Sequence, residues 1–129
     1  IKLLEKKGVE FKYKELSGVP NTEAKEIYKS SDIIIDQFLL GGIGTLACEG
    51  MCFGKPVVGY ILQDVLDRHM PDCPVWNANI DNLADRLETL IRDADLRVRL
   101  GREGVRFVKK NLDNVKINDA VLDLYKSLQ

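Results

Sequence analysis

Histidine is nearly absent from this 129-residue chain, which has one, His69, and cysteine is scarce, with three. Cys48 and Cys52 share a helix face, but without a second cysteine pair or more histidine no metal site is expected. The odd cysteine count, in apolar or mixed surroundings, leads us to expect reduced thiols serving as small core filler, and a cytoplasmic location. Neither sign of charge is in excess. With 19 basic against 20 acidic residues, nothing in the balance draws the chain to nucleic acid or to an anionic membrane surface. No apolar run approaches the roughly 18 residues of a membrane span, so no transmembrane segment is expected. The first residues carry no signal-peptide pattern, and no motif asks for a cofactor. The length allows at most one domain, and 45% hydrophobic residues suffice for a packed core.

Local patterns divide the chain into alternating strands and helices. Residues 1–7 read as the tail of a helix closed by Gly8, and residues 9–13 alternate like a strand with one wet face. After the Gly18-Val19-Pro20 turn, Asn21 or Thr22 caps a short helix with Ala24, Ile27 and Tyr28 on one face. Ile33-Ile34-Ile35 is a β-branched run of the kind buried on both sides in a parallel sheet. A glycine turn and a helix over residues 43–53 follow, then a second such strand over 56–61. Residues 63–73 read as irregular, and Val75-Trp76-Asn77 as a short strand. The rest is helical, with apolar stripes at Leu83, Leu87, Leu90 and Ile91 and at Val121, Leu124, Tyr125 and Leu128. The expected fold class is α/β, a Rossmann-like parallel sheet with helices on both faces.

The densest information lies in residues 36–60. From Gln37 to Gly54 the only charge is Glu49, among glycines and apolar side chains, so its carboxylate should be largely withdrawn from water. Gly41, Gly42 and Gly44 leave the backbone bare where the helix begins, around Ile43 and Thr45. A bare helix start followed by a lone acid suits a nucleotide, with phosphate at the amides and ribose hydroxyls at the acid. At about 1.5 Å per residue, Glu49 lies roughly 6–8 Å beyond the Gly44 and Thr45 amides, near the reach from a diphosphate to its ribose. The plainer readings are an exposed Glu49 paired with a lysine and glycines that merely make the strand-to-helix turn. His69 reads as a solvated loop residue.

Glu49-Gly50-Met51-Cys52-Phe53-Gly54-Lys55-Pro56-Val57-Val58 resembles the E-(A/G)-M-x-x-G-x-P-V-V signature of retaining nucleotide-sugar glycosyltransferases of the GT-B fold. Those enzymes face two Rossmann-like domains across a cleft. The likeness extends upstream through Gly18-Val19 and Tyr28-Lys29-Ser30-Ser31-Asp32-Ile33-Ile34-Ile35, and downstream through Leu83 to Ile91 and Leu100 to Val108, nearly the whole chain. It implies the C-terminal, donor-binding part of such an enzyme. Glu49 would accept from the ribose hydroxyls, residues 41–45 would offer amides to the diphosphate or sugar, and Gly18 and Val19 would border the nucleobase. The family pattern places a first glutamate eight positions before the second, and here that position is Gly41. Some members carry D-Q-x-x-x-G instead, which Asp36-Gln37 followed by Gly41 resembles, so Asp36 or Gln37 is a candidate substitute at the ligand crevice. The basic residues that neutralise the leaving diphosphate are implied to lie before Ile1, and no nucleophile or acid–base pair is evident.

By the same resemblance the strand order 3-2-1-4-5-6 would leave two strands and the N-terminal domain of the same protein outside these residues, a truncated domain. Four parallel strands are expected, at 9–14, 32–36, 56–61 and 74–77. The first is expected to pair directly with the second through the helix at 22–30, the alternative being a homodimer through an exposed sheet edge. The leading function is donor binding within a glycosyltransferase that uses a nucleoside-diphosphate sugar. The alternative is a non-catalytic nucleotide-binding α/β module, and a receiver-like signalling domain fits poorly, since only Asp32 and Asp36 flank a strand.

Overall fold

The computed structural model describes residues 1–127. In chain order these form α1 (Lys2–Lys6), α2 (Asn21–Ser30), β1 (Ile34–Ile35), α3 (Thr45–Cys52), β2 (Val57–Gly59), α4 (Gln63–His69), β3 (Trp76–Asn77), α5 (Leu83–Arg92), α6 (Ala94–Asn111) and α7 (Asn114–Ser127). The sheet is parallel in the order β1-β2-β3, with Ile34 opposite Val57, Ile35 opposite Val58, Val58 opposite Trp76 and Gly59 opposite Asn77. Strand side chains alternate, so each face gathers its own core. Ile34 and Val57 point into a cluster with Ala47, Met51, Ile61 and Phe107. On the other face Val58 joins Leu4, Val9, Leu87, Leu90, Leu96 and Leu100, with Ile33 and Ile35 packed against them. The chain is therefore an α/β layer with helices on both faces of a three-stranded parallel sheet.

The helix ends follow from local chemistry. Gly8, at φ +67°, closes α1: its N–H donates to the Glu5 carbonyl at 3.0 Å, and the Val9 N–H reaches back to the Leu4 carbonyl at 3.1 Å. Leu4 and Val9 then meet in the same core. Asp93 caps α6 by accepting from the Leu96 N–H at 2.8 Å, and Arg97 donates to the Leu90 and Ile91 carbonyls at 2.6 and 2.8 Å, sealing the end of α5. The single tryptophan, Trp76, lies in β3 with the Arg86 guanidinium 4.7 Å above its ring.

Several expectations are corrected. Residues 9–13 form no strand, and no ladder joins them to residues 32–36. Alternation supplies a strand-like pattern but not a neighbour, and here an open groove of about 930 Å³ separates residues 10–16 from β1. The three strands that do form are shorter than the apolar runs announcing them. Residues 63–69 are helical as α4 rather than irregular, because Gln63 bonds Asp67 at 2.7 Å, Arg68 pairs with Asp64 at 2.7 Å, and Val65 and Leu66 pack on the core. Pro20, not Asn21 or Thr22, stands at the N-cap of α2, with no side-chain cap. In α7 the stripe of Val121, Leu124 and Tyr125 is exposed rather than packed, and Leu128 lies outside the described residues.

The helix α3 is clasped between the sheet and α6. A Cβ added at Gly101 would collide with the Gly54 carbonyl at the turn after α3, and one at Gly104 would come within 3.0 Å of the Met51 side chain. Alanine at position 101 would gain about 1 kcal/mol of helix propensity. Forcing α6 off the Gly54 backbone should cost about 1–3 kcal/mol, and this term wins because the obstacle is main chain. We expect Gly101→Ala to lower unfolding free energy in urea, and an unchanged or raised midpoint would contradict the close approach.

Candidate functional site

The loop from β1 to α3 is shaped by the two polar residues at the end of β1. The Gln37 side chain is its internal scaffold: Nε2 donates to the Gly42 carbonyl at 2.6 Å, while Oε1 accepts from the Leu39 and Leu40 amides at 3.0 and 2.7 Å. This holds Leu39 and Leu40 outward at 86% and 83% exposure. Gly41, at φ +67°, accepts from the Leu62 N–H at 2.9 Å, and an added Cβ there would lie 2.6 Å from the Leu62 side chain. Asn77 completes the framework from β3. Its Oδ1 accepts from the Ile61 N–H at 2.9 Å and its Nδ2 donates to the Ile61 carbonyl at 2.8 Å, so the end of β3 is tied to the residues that follow β2. The Asn77 clamp was not anticipated from sequence; its one signal is a polar amide closing an apolar strand.

Asp36 turns onto the start of α3. The Gly44 N–H donates to its Oδ2 at 3.1 Å, and the carboxylate fills the space that a Cβ on Gly44 would take, 2.6 Å from Oδ2. A negative group at a helix N-terminus is electrostatically favourable. Burial nevertheless pushes the Asp36 carboxyl above its ordinary range, outweighing the hydrogen bonds from the Gly44 and Gln37 backbone. Thus Asp36 and Gln37, expected to face a ligand, are both engaged with their own loop.

The remaining candidates lie at the start of α3, along it, and in the segment before α2. The buried side of α3 is Ala47, Gly50 and Met51. Glu49 falls beside that face and is partly buried, and its carboxylate has no hydrogen bond or ion pair among the described residues. Thr45 is exposed at the first position of α3, and Gly42, Ile43 and Gly44 are half-buried. The amides of Thr45, Leu46 and Ala47 have no acceptor among the described residues, as a first helical turn leaves them. Gly18 and Val19 belong to the separate segment before α2. Gly18 is exposed at φ +66° with open space around it, and neither residue hydrogen-bonds to the loop.

The groove beside β1 reaches this region at one end, where Asp36, Phe38 and Leu46 line it. Burial raises the Cys48 and Cys73 thiols above their ordinary range, and all three cysteines are free. Among the described residues no group of three or more His, Cys, Asp or Glu is placed to hold a metal ion.

The Asp36 contact sets a pH dependence. An acid whose pKa rises on folding contributes stability below its unfolded pKa, and that contribution is lost as pH rises through the folded value. Asn retains the acceptor for Gly44 without the charge. Urea titrations of Asp36→Asn and wild type should therefore show the stability difference moving in the variant's favour between about pH 3 and about pH 7. A difference independent of pH would show that the carboxyl is not perturbed.

Set against protein-family models, curated proteins and solved structures, the chain matches none.

Proposed function

We propose that this chain is the donor-nucleotide-binding portion of a GT-B glycosyltransferase, acting on a nucleoside-diphosphate sugar together with a second domain. The observation that carries the reading is Glu49, a carboxylate without a protein partner among the described residues, set in the second turn of a helix whose first amides are also free. The helix follows a glycine-rich loop at the C-terminal end of a parallel strand, where open α/β sheets bind ligands. In this role the amides of Thr45, Leu46 and Ala47 receive the diphosphate and Glu49 accepts from the ribose hydroxyls. Gly41 and Gly42 let the backbone approach the sugar, and Gly18 and Val19 flank the base. Catalysis in this reading is donor positioning and stabilisation of the leaving diphosphate, with the cations supplied from outside these residues.

A second reading, a non-catalytic nucleotide-binding module, draws on two contacts. Asp36 already holds the Gly44 amide, and Arg97, the arginine lining the neighbouring groove, is committed to the α5 carbonyls. Transfer activity of the full-length protein that contains this chain, lost in Glu49→Ala, separates the two.

For the chain itself we expect weak binding of UDP, GDP or ADP, with Kd above about 0.1 mM, and no sugar transfer. Isothermal titration or amide chemical-shift mapping should place the perturbations on residues 42–47, and Glu49→Ala should weaken the preferred nucleotide by about tenfold. Binding unaffected by Glu49→Ala would overturn the site, and transfer by the isolated chain would overturn the division of labour.

A further inference from the structure

The start of α3 already holds an anion of the protein's own. The Asp36 carboxylate accepts from the Gly44 N–H at 3.1 Å and fills the space of a Cβ on Gly44, which would stand 2.6 and 2.7 Å from its two oxygens. The next amides, of Thr45, Leu46 and Ala47, have no acceptor among the described residues. Consecutive Cα atoms are about 3.8 Å apart, so a phosphate taken at the Thr45 amide comes within about 6 Å of that carboxylate. At that separation two like charges near a protein surface cost at least about tenfold in affinity. No cation offsets them, since Asp36 has no ion pair among the described residues. From α3 the ionisable neighbours are the Cys48 thiol and Glu49, both acids, while β2 and β3 bring no ionisable side chain. The groove that Asp36 lines carries Asp32, Tyr28 and Arg97, the last committed to the α5 carbonyls. Residues 10–15, on its far side, set two lysines against two glutamates.

We propose that a diphosphate enters this site together with a proton, which Asp36 takes up. The proposal rests on the nucleotide reading of the same loop and adds what the site does with its own charge. Once protonated, the carboxyl keeps an acceptor for the Gly44 amide and gains an O–H that donates to a phosphate oxygen. Repulsion is thereby exchanged for a charge-assisted hydrogen bond, with the loop that Gln37 holds left in place. Burial already pushes this carboxyl above its ordinary range, and a neighbouring phosphate pushes it further the same way. The complex prefers the acid, so affinity is highest below the pKa of the free protein and falls as pH rises toward that of the complex. Asparagine imitates the protonated acid at every pH, with one acceptor and one donor edge.

Amide chemical-shift titration of the chain with UDP-glucose, GDP-mannose and ADP-glucose in EDTA, from about pH 5 to about pH 8, tests this. A diphosphate esterified at both ends has lost the proton that a terminal phosphate titrates near pH 6, so about that pH the ligand itself stays constant. We expect wild-type affinity to fall at least about tenfold across the range. Asp36→Asn should bind equally at both ends, and at least about tenfold tighter than wild type at about pH 8. Isothermal titration of the unaltered chain in buffers of different ionisation enthalpy should show uptake approaching one proton per nucleotide, and none in Asp36→Asn. Affinity that is flat with pH, yet lost in Glu49→Ala, overturns the proposal and keeps the nucleotide reading. Affinity raised by Mg²⁺ rather than by acid overturns it in favour of a bridging cation. Binding absent from both proteins at every pH removes the nucleotide reading and the proposal with it.

Discussion

The position of α3 decides what the C-terminal end of the sheet looks like, and that position is set by close approach rather than by polar bonding. At Gly50 an added Cβ would come 2.9 Å from the Ile34 side chain and 3.0 Å from Val57, while α6 meets α3 and its following turn through Gly101 and Gly104. Dense packing of this kind has two energetic edges: a larger residue forces a shift of main chain, and a displaced helix leaves voids. With the helix axis fixed from two sides, the start of α3 has one place to be. Asp36 then reaches the Gly44 amide without a search, and the loop between them has only its own conformation left to define.

That conformation is written largely by one amide side chain. Gln37 makes three hydrogen bonds to its own loop, and Asn77 makes two across the neighbouring strand end. Side-chain amides present a donor and an acceptor on one plane, so each of these residues imitates a short stretch of strand where the ladder has stopped. Asn77 ties the end of β3 to the residues after β2, and the Tyr60 N–H, donating to the Gln37 carbonyl at 3.1 Å, ties those residues to the end of β1. The opposite side of β1 has no such device, which is why the groove there is bounded by bare main chain.

Much of the fold was legible because its signals are local or periodic. The β-branched run at 33–35, the glycine closing α1, the α5 stripe and the glycine-led α3 all survive in the structure, since each is fixed by sterics within a few residues. Residues 9–13 show the limit: period-two alternation describes a strand's faces, whereas a strand exists through a neighbour, and neighbours are a matter of topology. The helix at residues 63–69 was hidden by its polarity, its apolar contact being narrow and its support coming from pairs four residues apart. At the site, the sequence marked Asp36 and Gln37 as polar residues closing an apolar strand but not their partners, which are main-chain groups of their own loop.

The stacking of Arg86 on Trp76 has an optical consequence. The indole is the chain's only one, its Nε1 is buried without an acceptor among the described residues, and a cation lies over its face. Its ultraviolet emission therefore comes from a single environment on the last strand of the sheet, coloured by one neighbouring charge. Loss of the sheet places that ring in water and removes the charge at once. The molecule thus carries a label-free gauge of its own β-layer, insensitive to what happens along the far helix α7.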